Sequence, residues 1–273
     1  MLKGVGIGAG YFSWFQYKAW SRIREVKITA LSNRAKEKAI AMANEFSIPK
    51  VYSSVVEMLD KERPDFVDII TPPETHLEYC REAFKRKINA IVQKPFAPTI
   101  AESILIVKEA SEAGVKLMVH ENFRFQPWYR EIKNMINNGI IGLEIFTANF
   151  RTRTGDGWGE HAYLDRQPYF REMPKFLIYE TGIHFIDTFR YLFGEISHVY
   201  ASLRKLNSSI KGEDAGIVHF EFANGMQAIW DANRYNESNS TDPRYTFGEV
   251  LIEGELGSIR LYSDGRITIQ RLF

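Results

Sequence analysis

Glu180 and His184 stand four residues apart in a stretch patterned as a helix, and Asp187 follows one turn later. At that spacing the three share one helix face. A carboxylate one turn from an imidazole fixes its tautomer and raises its basicity, which suits His184 to general base or acid work with Glu180 tuning it. Lys94 follows a short apolar run and precedes Pro95, which keeps its backbone extended. An ammonium at the end of a strand can orient a substrate oxygen and stabilise developing alkoxide charge. Lys94, His184 and Glu180 are therefore the expected catalytic set.

A second constellation concerns a nucleotide. Gly8-Ala9-Gly10-Tyr11-Phe12-Ser13 closes the first apolar run and opens the first helical pattern. In nucleotide folds the first glycine makes a tight turn and the second lets the backbone approach a pyrophosphate at the helix N-terminus. Ser13 takes the place of the usual third glycine. The second strand should end at Ser32-Asn33-Arg34, with no carboxylate to repel a ribose 2′-phosphate. Arg34 can pair with that phosphate, and Ser32 and Asn33 can hydrogen-bond it. The expected cofactor is NADP, with NAD the alternative. His76 and Cys80, four apart, are too few to hold a metal, so none is expected.

These residues need elements to position them. Through about residue 120, short β-branched runs (Val5–Ile7, Ile28–Leu31, Phe66–Ile70, Ala90–Val92, Leu117–Val119) alternate with helical patterns. That alternation predicts a doubly wound α/β domain with a parallel sheet. Beyond it, a helix opens at Pro127, another covers Leu177–Phe193, and many alternating strands follow. Asn224-Gly225 and Asp264-Gly265 mark hairpin turns. The second half reads as an α+β domain with a large, mostly antiparallel open sheet. The expected division is a dinucleotide-binding domain over 1–121 and a substrate and oligomerisation domain over 122–273.

Residues 151–174 form a long irregular segment carrying Trp158, Tyr163, Gln167 and Tyr169. Aromatic rings mixed with hydrogen-bonding groups suit a sugar or polyol, and Arg124 and Asp187 are further candidates for substrate contact.

Composition excludes other classes. With 35 basic and 34 acidic residues in 273, there is no global field for nucleic acid or an anionic membrane. No apolar run is long enough to span a bilayer. A single cysteine excludes a disulfide scaffold, and with no visible signal peptide the expected location is the cytoplasm. Apolar residues on both faces of the later strands predict a homo-oligomer, a dimer or tetramer.

Several motifs in order resemble one family. Thr71-Pro72-Pro73-Glu74-Thr75-His76, Gln93-Lys94-Pro95-Phe96, His120-Glu121-Asn122-Phe123-Arg124-Phe125 and the Glu180, His184, Asp187 stripe resemble the glucose–fructose oxidoreductase/inositol dehydrogenase (Gfo/Idh/MocA) family over nearly the whole chain. The resemblance implies a Rossmann domain, a C-terminal domain with a large open sheet, and NAD(P)-dependent oxidation or reduction of a sugar, cyclitol or related compound. It places Thr71, Pro72, His76, Gln93, Lys94 and Asn122 at the cofactor, beside Gly8, Gly10, Tyr11 and Phe12, with His120 toward the nicotinamide. The chain departs from the family pattern at Gln93, where the motif has glutamate, and at Glu180, where it has aspartate. It also stops at Phe273, where many relatives continue with further helix and strand. A non-catalytic nucleotide-binding or regulatory protein on the same scaffold is the competing expectation; the presence of Lys94, Glu180 and His184 together favours catalysis.

Overall fold

The structure is a computed structural model that describes residues 1–165, 167–238 and 240–272; Phe273 lies outside them. The chain divides into two compact units, Met1–Glu121 and Asn122–Phe273.

The first unit alternates strand and helix throughout: β1 (Leu2–Ile7), α1 (Tyr11–Trp20), β2 (Val26–Ser32), α2 (Lys36–Glu45), β3 (Lys50–Tyr52), α3 (Val55–Glu62), β4 (Phe66–Ile69), α4 (His76–Phe84), β5 (Asn89–Gln93), α5 (Ile100–Ala113) and β6 (Leu117–His120). The sheet is parallel, in the order β3-β2-β1-β4-β5-β6. Strand order reverses between β1 and β4, the point at which open α/β sheets receive their ligands. The central strands are buried on both faces, which explains their apolar runs. Local signals set the helix ends. Ser54 and Thr99 cap α3 and α5 by accepting from the backbone N–H of Glu57 and Glu102. Gly114 ends α5 in the left-handed region.

The second unit holds α6 (Pro127–Asn137), β7 (Ile145–Arg153), α7 (Ile183–Phe193), β8 (Ile196–Arg204), β9 (Ala215–Phe222), β10 (Gln227–Asn233), β11 (Gly248–Gly254), β12 (Gly257–Leu261) and β13 (Ile267–Arg271). Its sheet runs β13-β12-β11-β7-β10-β9-β8, antiparallel except for the β7–β10 pair. Helices α6 and α7 bury their apolar faces on one side of it. Tyr129, Ile132, Phe185 and Phe189 meet Phe150, Phe220, Trp230 and Ile252 in one core. Phe146, Ile217 and Ile229 alternate with those inward residues and remain exposed on the other face. Both expected hairpin glycines have positive φ, +87° at Gly225 and +86° at Gly265.

Two elements differ from expectation. Strand β3 is only three residues long, at the sheet edge, and Lys50-Val51-Tyr52 has no apolar run to announce it. The expected continuous helix from Leu177 begins instead with a π-helical turn, Leu177–Gly182, and becomes α-helical at Ile183. The wider winding changes the face relation between Glu180, inside that turn, and His184 beyond it. π-Turns inside helices are frequent at functional sites.

Candidate active site

In the first unit, a cleft of about 160 Å³ opens at the carboxyl ends of β1, β2 and β4. Gly8, Gly10, Ser32, Asn33, Arg34, Thr71 and Pro72, all expected at the cofactor, line it. Gly8 has φ +119°, and a Cβ there would lie 2.4 Å from the Ile70 carbonyl oxygen. Only glycine fits. At Gly10 a Cβ would find nothing nearer than Ser13 Oγ at 4.0 Å, so the start of α1 is open to an approaching group. The first turn of α1 carries no acid, which leaves its N–H groups and the positive end of the helix dipole for an anion. Ser13 is fully buried and donates to the Gly10 carbonyl at 2.8 Å, so a small hydroxyl residue packs where the motif's third glycine stands.

The loop is tied in place. Tyr17 Oη donates to the Gly8 carbonyl at 2.9 Å, and Asn33 Oδ1 accepts from the Ala9 N–H at 3.2 Å. Asn33 Nδ2 donates to the Ala35 carbonyl. Asn33 thus bridges the glycine turn and the entry to α2. Ser32 is buried at the cleft floor and Arg34 is exposed at its rim. Tyr79, not singled out by sequence, also lines the cleft and feels the Arg34 charge. Tyr11 and Phe12 are exposed at the start of α1.

His76 has a different place from the one expected. It is fully buried, and its ring nitrogens reach the carbonyl oxygens of Thr71 at 2.7 Å and Phe96 at 3.0 Å. Burial lowers its pKa, opposed by these two contacts. It pins the turn after β4 to the segment after β5 and does not line the cleft. Cys80 is also buried, which pushes its thiol up to about 12. Among the described residues no group of three or more His, Cys, Asp or Glu side chains is placed to hold a metal.

At the end of β5, Gln93 is buried and Lys94 half-buried, with a cis peptide to Pro95. Gln93 Oε1 accepts from the Lys94 N–H at 2.8 Å, and Gln93 Nε2 lies 3.3 Å from His120 Nδ1 at the end of β6. The His120 ring is 6.0 Å from that of Phe12.

In the second unit, His184 stacks on Phe123, with ring centroids 4.1 Å apart and planes 8° from parallel. Asn122 is exposed just before the short 3-10 turn that carries Phe123 and Arg124. Arg124 pairs with Asp187 through two hydrogen bonds. Glu180 is near enough to Tyr169 and Arg234 to act on both electrostatically.

The stretch that carries Asp156, Tyr163, Phe170 and Phe176 is anchored by an arginine that sequence reasoning missed. Arg234 is buried directly after β10, paired with Asp156 and donating to Thr181 Oγ1 at 2.8 Å. Phe176, Tyr163 and Phe170 surround its guanidinium at 4.8–5.4 Å. Tyr163, expected at the substrate, is therefore buried in this cluster. The exposed candidates are Trp158, whose indole N–H bonds the Tyr235 carbonyl, and Tyr169, whose hydroxyl accepts from Gln167 Nε2 at 3.0 Å.

Residues 3–121 match the oxidoreductase family with the NAD-binding Rossmann fold, and residues 129–260 match the GFO/IDH/MocA C-terminal domain. The chain belongs to the GFO/IDH/MocA oxidoreductase family. It is 34% identical over 271 residues to a D-apiose dehydrogenase of Paraburkholderia graminis, covering 98% of this chain and 69% of that protein. A D-apiose dehydrogenase of Rhizobium rhizogenes is 33% identical over 270 residues, with 98% and 75% covered. A crystal structure of an oxidoreductase from Agrobacterium radiobacter, in complex with NAD+, L-tartaric acid and magnesium, superposes with a TM-score of 0.91 at 31% identity, covering 99% of this chain and 77% of that one. Among the described residues of this family member, no helix is long and apolar enough to cross a membrane.

Proposed function

We propose that the chain transfers a hydride between a nicotinamide cofactor and a hydroxyl or carbonyl carbon of a sugar, cyclitol or related polyol, with NADP favoured over NAD. The observation that carries this is the Gly8 cradle at the sheet's switch point, beside an exposed Arg34 and no carboxylate in Ser32-Asn33-Arg34. Gly8, Gly10 and the α1 N-terminus would hold the pyrophosphate, and Arg34 the 2′-phosphate. When bound, the cofactor supplies the hydride acceptor or donor. Lys94 orients the reacting oxygen and stabilises its charge. His184, its ring fixed by Phe123, takes or returns the proton. Glu180 tunes that exchange or binds a substrate hydroxyl. Arg124 and Asp187, fixed as a pair, together with Trp158, Gln167 and Tyr169, contact the substrate, and Tyr163 supports that segment from within. The relatives' names make D-apiose the first sugar to test. We further propose a cytoplasmic homo-oligomer that covers the exposed sheet face bearing Phe146, Ile217 and Ile229.

The test is a thermal-shift titration with NADP(H) and NAD(H) in parallel. A ligand at 100 times its Kd adds ~2.7 kcal/mol, which should raise Tm by roughly 5–10 °C. A larger shift with NADP(H) supports the Arg34 reading, and Arg34→Ala should erase the difference. A larger shift with NAD(H) overturns that preference. No shift with either overturns the cofactor assignment and favours a non-catalytic scaffold.

A further inference from the structure

Asp68 lies on β4 in an otherwise apolar strand and is fully buried. A carboxylate there is costly unless donors face it. Two do. Trp20 Nε1 is 2.6 Å from Oδ2, and Gln16 Nε2 is 2.6 Å from both oxygens. Gln16 and Trp20 are one turn apart on α1, so a single helix face serves the charge. The contacts continue outward. Gln16 Oε1 lies 3.3 Å from Gln93 Nε2, and that nitrogen lies 3.3 Å from His120 Nδ1.

The sense of each bond in this chain is fixed at its ends. The backbone N–H of Lys94 can only donate, so the Gln93 atom facing it at 2.8 Å is the oxygen. The Gln93 amide nitrogen must then face both Gln16 and His120. The ionised Asp68 can only accept, so Gln16 turns its nitrogen inward and its oxygen toward Gln93. The two ends agree: reversing Gln16 would set two NH2 groups against each other, and reversing Gln93 would set two amide oxygens together and its NH2 against the Lys94 N–H. Gln93 has two N–H bonds, one for Gln16 Oε1 and one for His120 Nδ1. An imidazole nitrogen that accepts carries no proton.

We propose that Asp68 is a positioning residue: through Gln16 and Gln93 it holds His120 as an acceptor at Nδ1, and so as a neutral donor at Nε2. His120 ends β6, on the sheet edge where ligands of open α/β folds bind. A neutral N–H there suits an uncharged carbonyl, amide or hydroxyl oxygen. That use rests on the oxidoreductase reading; the place of the proton does not. Gln93 is decisive in this chain. A glutamate in its place could only accept, and would call for a proton on Nδ1, the opposite tautomer. Burial, opposed by the two donors, pushes the Asp68 carboxyl up to about 6, so it is charged and able to orient Gln16 above that pH.

The experiment is long-range 1H–15N correlation of the imidazoles in the full ligand-free chain at pH 8, above the ordinary imidazole range of about 6.5. The His120 signals are assigned by their loss in His120→Gln. The wild type should show Nε2 protonated and Nδ1 bare. Gln93→Glu should move the proton to Nδ1, and Asp68→Asn should give a mixture of tautomers. Where Asp68→Asn fails to fold, Gln16→Leu removes the same link. A wild-type proton on Nδ1, or a His120 pattern unchanged in the folded link variant, overturns the proposal. Adding NADP(H) or NAD(H) afterwards separates the two readings. A His120 signal that ignores both counts against cofactor binding beside it and leaves the tautomer assignment standing.

Discussion

In the first unit the candidate site residues hang from strand ends; in the second they sit on a helix start and a long irregular segment. Gly8, Ser32, Thr71, Gln93, Lys94 and His120 each end or follow a strand of one parallel sheet. Their positions follow from the sheet's register, and short local bonds trim them. His184, Glu180 and Trp158 have no such frame. A π-turn, a stacked Phe123 and a buried arginine from a distant stretch hold that region. A repeating scaffold can place a site with few dedicated contacts. An irregular one needs its own buried polar anchors, and each anchor is a single point of failure.

Losing the groups assigned to chemistry should have the largest effect. Lys94→Ala and His184→Ala, one from each unit, should each lower kcat at least ~10²-fold. Circular dichroism should be unchanged. A variant with wild-type turnover would remove its residue from the mechanism.

Next comes the anchor. Arg234→Met leaves Asp156 without its partner, and should cost about 3 kcal/mol in urea unfolding, the low end for breaking a buried pair because Asp156 keeps some exposure. Its nucleotide-induced Tm shift should persist. Loss of that shift as well would show that the two modes of support are not separate.

Gly8→Ala is the reciprocal case. An alanine at φ +119°, against the Ile70 carbonyl, should cost roughly 1–3 kcal/mol and abolish the nucleotide shift. A variant that still binds nucleotide with wild-type affinity would mean that the turn is not the phosphate cradle.

The smallest effect is a pH slope. The folded pKa of Asp68, about 6, lies above the ordinary carboxylate value. Its contribution to stability is full below about pH 4 and is lost as pH rises through about 6. Relative to Asp68→Asn, the wild type should lose stability between about pH 4 and 6 in calorimetry. Glu62 behaves oppositely. Burial would raise its pKa, but hydrogen bonds from Lys50, Tyr52 and Lys3 bring it down to about 2. Its contribution is present above about pH 4.5 and is lost as pH falls through about 2, so the two slopes have opposite signs and their windows meet only near pH 4. A flat difference between wild type and Asp68→Asn would mean that Asp68 is not raised.

The same contrast explains what could be read from the chain. Strand–helix alternation, the glycine turn after β1 and Ser32-Asn33-Arg34 at the end of β2 are local patterns, and each lies at the strand or turn where the pattern put it. Strand β3 is too short to show a period. The π-turn hides because its apolar spacing does not differ from that of an α-helix over one turn. The buried Arg234 and its half-buried partner Asp156 are 78 residues apart, and nothing local marks either. Asp68 did leave a signal, a lone carboxylate within the apolar run Phe66–Ile70, as did Gln16 and Trp20 one turn apart on an aromatic helix. His76 was legible as a helix start, but the direction of its ring depends on the Phe96 carbonyl, twenty residues on.

The Asp156–Arg234 pair also orders events in time. Asp156, Tyr163, Phe170 and Phe176 close on a side chain that leaves the ribosome only after β10 has been made. Long-range contacts of this kind form late, because the intervening chain must first be organised. This stretch can therefore be fixed in place only once β10 has been made. During synthesis its aromatic side chains stay uncovered while α7, β8 and β9 emerge, which makes this stretch the natural target for chaperones and proteases in the nascent chain.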